Sequence, residues 1–341
     1  MVGGRPGSPH RGPPRRSQRY GDRPRDRVSP YCGMSSGGRG GVALPDRSLS
    51  TRGPESDATR LRPSSAPEVT MAKRCDACRR YSHGDALERR GMRSYVLIPG
   101  LWAGAWIWQQ IERQLRAAGH HTLAVTLSGL SPSDADRKNI TLADHVDDVL
   151  SVLIEEGLND VILVAHDYGG IVAGSVVDRA PERVAHTVYV EAFVAHDGKS
   201  MLDVFPDSLR AEELRLIDDN DGRLPPPPVA AISAGQDLSH RDAQWLLDRF
   251  VGHPCRSISD PVTLTRPPAT HSATYVVCEK DHFTGSIDDD IGRLRDEPGW
   301  TFRTLKTGRW PMLSAPGELS ELLLEVDRRV GAPSAGTAAF D

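Results

Sequence analysis

The chain has 341 residues and a net charge of −4, and that charge is unevenly spread: residues 1–91 carry 19 Lys+Arg against 9 Asp+Glu, leaving 23 and 37 for the remainder. The acidic remainder excludes nucleic acid as the partner of the folded part, because neutralising phosphates needs clustered Lys and Arg. No apolar run reaches the roughly 18 residues needed to span a membrane, and the basic start lacks the apolar core of a secretory signal.

From Met1 to Thr70, 21 of 70 residues are Pro or Gly, and the aromatic residues are Tyr20 and Tyr31. Such a segment buries too little apolar surface to offset its ordering entropy, so residues 1–91 are expected to be a disordered Arg/Pro/Gly-rich tail. Met71 and Met92 both read as candidate starts, and Met92 stands two residues before the first apolar run. The five cysteines are Cys32, Cys75, Cys78, Cys255 and Cys278; Cys75 and Cys78 form one C-x-x-C with His83 nearby but lack the second ligand pair of a zinc site. Cys255 and Cys278 read as small buried hydrophobes. This usage fits a reducing cytoplasm.

The expected folded domain, residues 92–341, opens with a strand at Ser94–Leu97 closed by Pro-Gly. A helix follows from Trp106 to Ala118 and stops at Gly119. Thr122–Leu127 reads as a strand. Thr141 caps a helix through Gly157, with Val146, Val149, Leu150 and Leu153 inward. Val161–Ala165 is so uniformly apolar that it needs burial on both faces, as in a parallel sheet. A helix at Ile171–Asp178 and a strand at Thr187–Val190 continue an alternation that marks a doubly wound α/β sheet. Residues 195–270 break it with helical pieces and Pro225–Pro228, and read as an inserted helical cap. Alternation resumes with strand Ala273–Cys278, a helix near Ile287–Arg295, strand Thr301–Leu305 and a helix over Pro316–Val330.

The segment richest in chemistry is Val161-Ile-Leu-Val-Ala-His-Asp-Tyr-Gly-Gly170. A buried strand enters a tight turn, and paired glycines let the next helix approach closely enough to hold the central residue on an exposed apex. Together with Pro99-Gly-Leu-Trp-Ala-Gly-Ala-Trp106, Leu142-Ala-Asp-His-Val-Asp-Asp148, Tyr189-Val-Glu-Ala-Phe193 and Gly308-Arg-Trp-Pro-Met-Leu-Ser-Ala-Pro316, it resembles the α/β-hydrolase superfamily over about residues 93–330. The likeness is to the branch of plant methylesterases, hydroxynitrile lyases and small bacterial hydrolases. It implies an α/β-hydrolase fold, a mostly parallel doubly wound sheet with an inserted helical cap.

The resemblance also places a catalytic triad: Asp167 where the family has serine, Asp281 in Cys278-Glu-Lys-Asp281 at the acid position, and Arg309 where the family has histidine. The backbone N–H groups of Leu101 and Tyr168 would form the oxyanion hole, with Pro99 replacing the usual histidine of that turn. Serine chemistry needs a hydroxyl and a base, and Asp167 and Arg309 supply neither. Three readings follow. The first is cofactor-independent acid–base chemistry: Asp167 as base, Arg309 holding an anionic oxygen and Asp281 orienting Arg309, for dehydration, elimination, cyclisation or isomerisation of a small apolar metabolite. The second is a non-catalytic pocket sealed by an Asp-Arg-Asp network. The third is a hydrolase of epoxide or haloalkane type with Asp167 as nucleophile. Trp102, Trp310, Glu191 and His282 are the expected substrate-binding residues, although at least two of Trp102, Trp106 and Trp108 are expected in the core. His145 and His166 are expected to be structural. With no nucleotide or metal motif the expectation is no cofactor. The expected partner is a small molecule, with neither nucleic acid nor membrane, and a homodimer is possible on these features.

Overall fold

The computed structural model describes residues 92–134, 139–234, 236–281 and 291–331. The expected tail with its Cys75–Cys78 pair, His282 and residues 287–290 of the helix expected near Ile287–Arg295 lie outside the described residues, while residues 291–294 are helical.

Strand β1 (Ser94–Ile98) and strand β3 (Val161–His166) carry almost unbroken apolar sequence because both faces of their sheet are covered. Successive side chains point to opposite faces. Val96, Ile98, Leu163 and Ala165 enter one apolar core, while Tyr95, Leu97, Ile162 and Val164 enter the other. Strands β2 (His121–Ala124), β4 (Val184–Val190), β7 (Ala273–Cys278) and β8 (Trp300–Leu305) complete a six-stranded sheet in the order β2-β1-β3-β4-β7-β8. All its pairings are parallel, with Ile98 opposite Ala165 and His166 opposite Val190.

Helix α1 (Gln109–Ala117), entered through a 3-10 turn at Ala105–Trp108, covers one face together with α9 (Pro316–Val330). Ile111, Leu115, Leu319 and Leu323 are their buried contacts, four residues apart on each helix as one helix face requires. Helices α2 (Leu142–Glu155) and α3 (Gly169–Arg179) cover the other face with Val146, Val149, Leu153, Val172 and Val176. Helix α2 starts in a full capping box: the Thr141 side chain accepts the Asp144 N–H, and the Asp144 carboxylate accepts the Thr141 N–H at 2.7 Å.

Between β4 and β7 the chain leaves the sheet. This insertion holds α4 (Asp207–Asp219), α5 (Val229–Ser233), α6 (His240–Leu247) and α7 (Cys255–Ser259). It also holds a feature that sequence patterning does not signal, an antiparallel ribbon of two-residue strands, β5 (Arg223–Leu224) and β6 (His253–Pro254). Two residues are too few to show a period of two, so this ribbon is written only in tertiary contacts.

Candidate active site

The order of strands locates the site. From β1 the chain moves outward to β2 and then returns to the other side of β1 as β3, so the connections after β1 and β3 diverge at their carboxyl ends. Such a switch point opens a crevice where ligands bind in parallel sheets. The turn after β1 carries Leu101 and Trp102, and the turn after β3 carries Asp167.

Asp167 sits at φ 51°, in the left-handed region that disfavours side chains, and only a tightly constrained turn holds a non-glycine residue there. Its carbonyl accepts the N–H groups of Gly170 and Phe193, both at 3.1 Å. Gly170 is required for this approach, because a Cβ there would collide with the Phe193 carbonyl oxygen. The Asp167 carboxylate therefore projects from a fixed apex, and its Oδ2 accepts the Leu101 N–H at 3.0 Å.

Two other segments bring charge to the same point. The loop after β8 continues through Gly308 to Arg309 and into the short helix α8 (Pro311–Ser314). The turn after β7 carries Asp281, fixed by N–H to carbonyl bonds from Asp281 to Cys278, Glu279 to Leu305 and Lys280 to Thr307, each 2.9 Å. Arg309 Nη1 donates to Asp167 Oδ1 at 2.7 Å. Its Nη2 lies 2.7 Å from Asp281 Oδ2, an ion pair rather than a straight hydrogen bond. One guanidinium thus lies between two carboxylates that would otherwise repel. The group is closed off: Asp167 is 1% exposed and Arg309 5%.

Gln236, in the segment joining α5 to α6, completes the cluster and was not signalled by the sequence. Its Nε2 donates to Asp281 Oδ1 at 3.0 Å and its Oε1 accepts the Arg309 backbone N–H. Nothing in local patterning marks a lone glutamine in an irregular loop; only the fold brings it here.

The flanking residues are buried and neutral. His166 Nε2 bonds the Arg309 carbonyl oxygen at 2.8 Å, so that nitrogen carries the proton; burial pushes its pKa down to about 4. His145 places Nε2 2.8 Å from the Ser128 carbonyl and Nδ1 2.9 Å from the Tyr168 hydroxyl, and burial likewise lowers it to about 4. Tyr168 is itself fully buried.

The remaining expected residues are placed as follows. Trp102, at φ 62°, is 1% exposed, and its indole N–H donates to the Leu224 carbonyl at 3.0 Å. Trp108 is also buried, whereas Trp106 is partly covered by Trp245 and Phe250. Trp310 packs against Phe250 and against His166, with ring centroids 5.6 and 5.1 Å apart. Glu191, at φ 43°, turns inward: its Oε2 accepts the Cys278 N–H at 2.6 Å beneath the turn that carries Asp281.

A parallel sheet, a strained elbow after β3 and a backbone N–H aimed at the elbow side chain define the α/β-hydrolase class. The chain belongs to the alpha/beta hydrolase family, whose sequence profile matches residues 95–322. It is 31% identical over 244 residues to the carbendazim hydrolyzing esterase of Nocardioides sp. (strain SG-4G), covering 68% of this chain and 98% of that protein. It is 28% identical over 264 residues to Methylesterase 7 of Arabidopsis thaliana, covering 70% and 98%. Among solved structures, an extracellular alpha/beta-hydrolase from a Paenibacillus species superposes with a TM-score of 0.62 at 22% identity, covering 68% of this chain and 98% of that one. That last likeness is one of fold.

These relatives correct one expectation. Dehydration, elimination, cyclisation or isomerisation was inferred from two side chains, Asp167 and Arg309. The proteins that this chain matches along nearly their whole lengths are named for ester hydrolysis, not for lyase or isomerase chemistry.

Proposed function

We propose that this chain is a hydrolase cleaving small ester-type substrates at the Asp167 elbow, with Asp167, Asp281 and Arg309 standing where the family has its serine, acid and histidine. The observation that carries the reading is the 3.0 Å bond from the Leu101 N–H to Asp167 Oδ2. It sets the elbow side chain and an oxyanion donor one hydrogen bond apart. A substrate carbonyl oxygen replacing Oδ2 on that N–H brings its carbon beside Asp167. The names of the relatives support the ester class.

With no serine hydroxyl and with a guanidinium that cannot accept a proton, the reaction is a single displacement. Water attacks the carbonyl carbon and gives its proton to the Asp167 carboxylate. The carbonyl π electrons move onto the oxygen, held by the N–H groups of Leu101 and Tyr168 and by Arg309. Collapse breaks the bond to the alkoxide, which takes the proton from Asp167. A carboxylic acid and an alcohol leave, and Asp167 is again a carboxylate. Asp281 keeps Arg309 in place throughout. Acid–base assistance supplies about 10²–10⁴-fold and an oxyanion donor about 10²–10³-fold, so turnover is slower than through a complete Ser-His-Asp triad.

The test is hydrolysis of p-nitrophenyl acetate in ¹⁸O-labelled water. Steady product release without a burst is expected, with label in acetate and none in Asp167, and a rate at least ~100-fold lower in Asp167→Asn. Equal rates in wild type and Asp167→Asn would overturn the reading. Label in the Asp167 side chain would instead make this carboxylate the nucleophile.

A further inference from the structure

We infer that the Gln236 side chain is an internal stand-in for a substrate's carboxamide-type group, occupying a binding position between Asp281 and the Arg309 backbone. The inference rests on the hydrolase reading of this site and names a chemical class for what enters it.

The orientation of the Gln236 amide is dictated by its partners. Asp281, as a carboxylate, only accepts, and a backbone N–H only donates. The NH₂ therefore faces Asp281 Oδ1 at 3.0 Å, and the carbonyl oxygen faces the Arg309 N–H. Together these two groups form an acceptor–donor pair complementary to a primary carboxamide. An ester or ketone satisfies the Arg309 N–H but offers Asp281 Oδ1 nothing in place of the Gln236 NH₂, a loss that a buried polar site penalises.

The fit is close at Gly308, where a Cβ would collide with Gln236 Oε1, so this loop admits the carboxamide because residue 308 has no side chain. The stand-in is held from outside by little. Gln236 is only half-buried, and the adjacent Asp237 is exposed. Asp237 is tied to Lys280 by an ion pair of 2.9 Å whose Lys280 side chain is 53% exposed, the kind of surface contact that holds weakly. Beneath it, the Asp281 side chain is 2% exposed. Gln236 thus lies on the solvent side of a buried, polar, partner-specific position, tethered but displaceable. A tethered group competes with a free ligand through its high local concentration, so removing it raises the apparent affinity for a free carboxamide.

The experiment uses the full chain, with residue-resolved amide exchange at the Arg309 N–H. Benzamide is the ligand, and acetophenone, equal in shape but without N–H donors, is the control. In wild type this N–H is protected and benzamide changes little. In Gln236→Ala its exchange is expected to accelerate at least ~10-fold, with benzamide restoring protection and acetophenone failing to do so. Benzamide should bind Gln236→Ala at least ~10-fold more tightly than wild type. Equal affinity for both proteins, or equal protection by acetophenone, overturns the inference. Asp237→Ala, which loosens the tether without touching the site, provides the second variant: an increase in benzamide affinity of roughly threefold is expected, and none would count against a displaceable Gln236. Neither readout involves turnover, so loss of ester hydrolysis with this exchange pattern intact would refute the hydrolase reading alone.

Discussion

Arg309 and Asp167 meet at 2.7 Å in a position that solvent barely reaches, although they lie 142 residues apart in the chain. Two carboxylates and one guanidinium are held there, and each depends on the others for its charge to be tolerated. Arg309→Met is expected to destabilise the fold by about 3–5 kcal/mol, because it strands Asp167 and Asp281 as neighbouring buried acids. Neutralising those acids in the same chain, Asp167→Asn with Asp281→Asn, is expected to recover most of the loss. Urea denaturation of the single and triple variants checks this; a triple variant as unstable as the single one would mean that Arg309 acts through packing rather than charge.

Restoring the hydroxyl and the base should restore the usual chemistry. The Leu101 N–H is already aimed at the elbow and Asp281 already faces residue 309. Asp167→Ser with Arg309→His is therefore expected to show a burst with p-nitrophenyl acetate and a kcat/KM at least ~100-fold above wild type. Each single variant should gain far less, since the two groups act as a unit. Absence of a burst from a folded double variant would show that the elbow is not a competent nucleophile position.

Acid should weaken the fold well above the carboxylate range. Burial pushes His145, His166, His186 and His271 down to about 4. In the unfolded chain each titrates near its ordinary value of about 6.5. Between these limits the unfolded state binds more protons, so stability falls as pH drops, by at most about 1.4 kcal/mol per pH unit for each histidine. The urea midpoint is expected to change little from pH 8 to 7 and to fall steadily from pH 6.5 towards 4. His186→Gln should flatten that slope; an unchanged slope would exclude His186 as a contributor.

Local pattern carried much of the fold into view. Val161–Ala165 reads as a two-face strand from its apolar run, one residue short of the strand in the structure, Thr141 as a cap from its position before Leu142, and Pro316–Val330 as a helix with the bounds the structure has. Bounds drift where pattern is mixed: the strand expected over Thr122–Leu127 ends at Ala124, and the helix expected from Trp106 begins as a 3-10 turn. The positions of Asp167, Asp281 and Arg309 were legible because they follow strand ends and family motifs. Side-chain direction was not. Glu191 follows β4, yet its positive φ turns it under the Asp281 turn, and Trp102 is swung into the core by its own left-handed backbone. Gln236 has no motif, and its role exists only because the insertion folds back over the sheet.

Trp102 commits its hydrogen-bonding groups to the insertion: its N–H reaches His253 Nδ1 at 3.3 Å, its indole reaches the Leu224 carbonyl at 3.0 Å, and its carbonyl receives the Val251 N–H at 3.0 Å. The neighbouring Leu101 is therefore registered against a distant ribbon as well as against its own strand. In this architecture the insertion is not an interchangeable module. Evolution, or an engineer grafting another such segment, inherits the insertion and the placement of the Leu101 N–H together, and a graft that omits the residue 224 and 253 contacts would have to rebuild both at once.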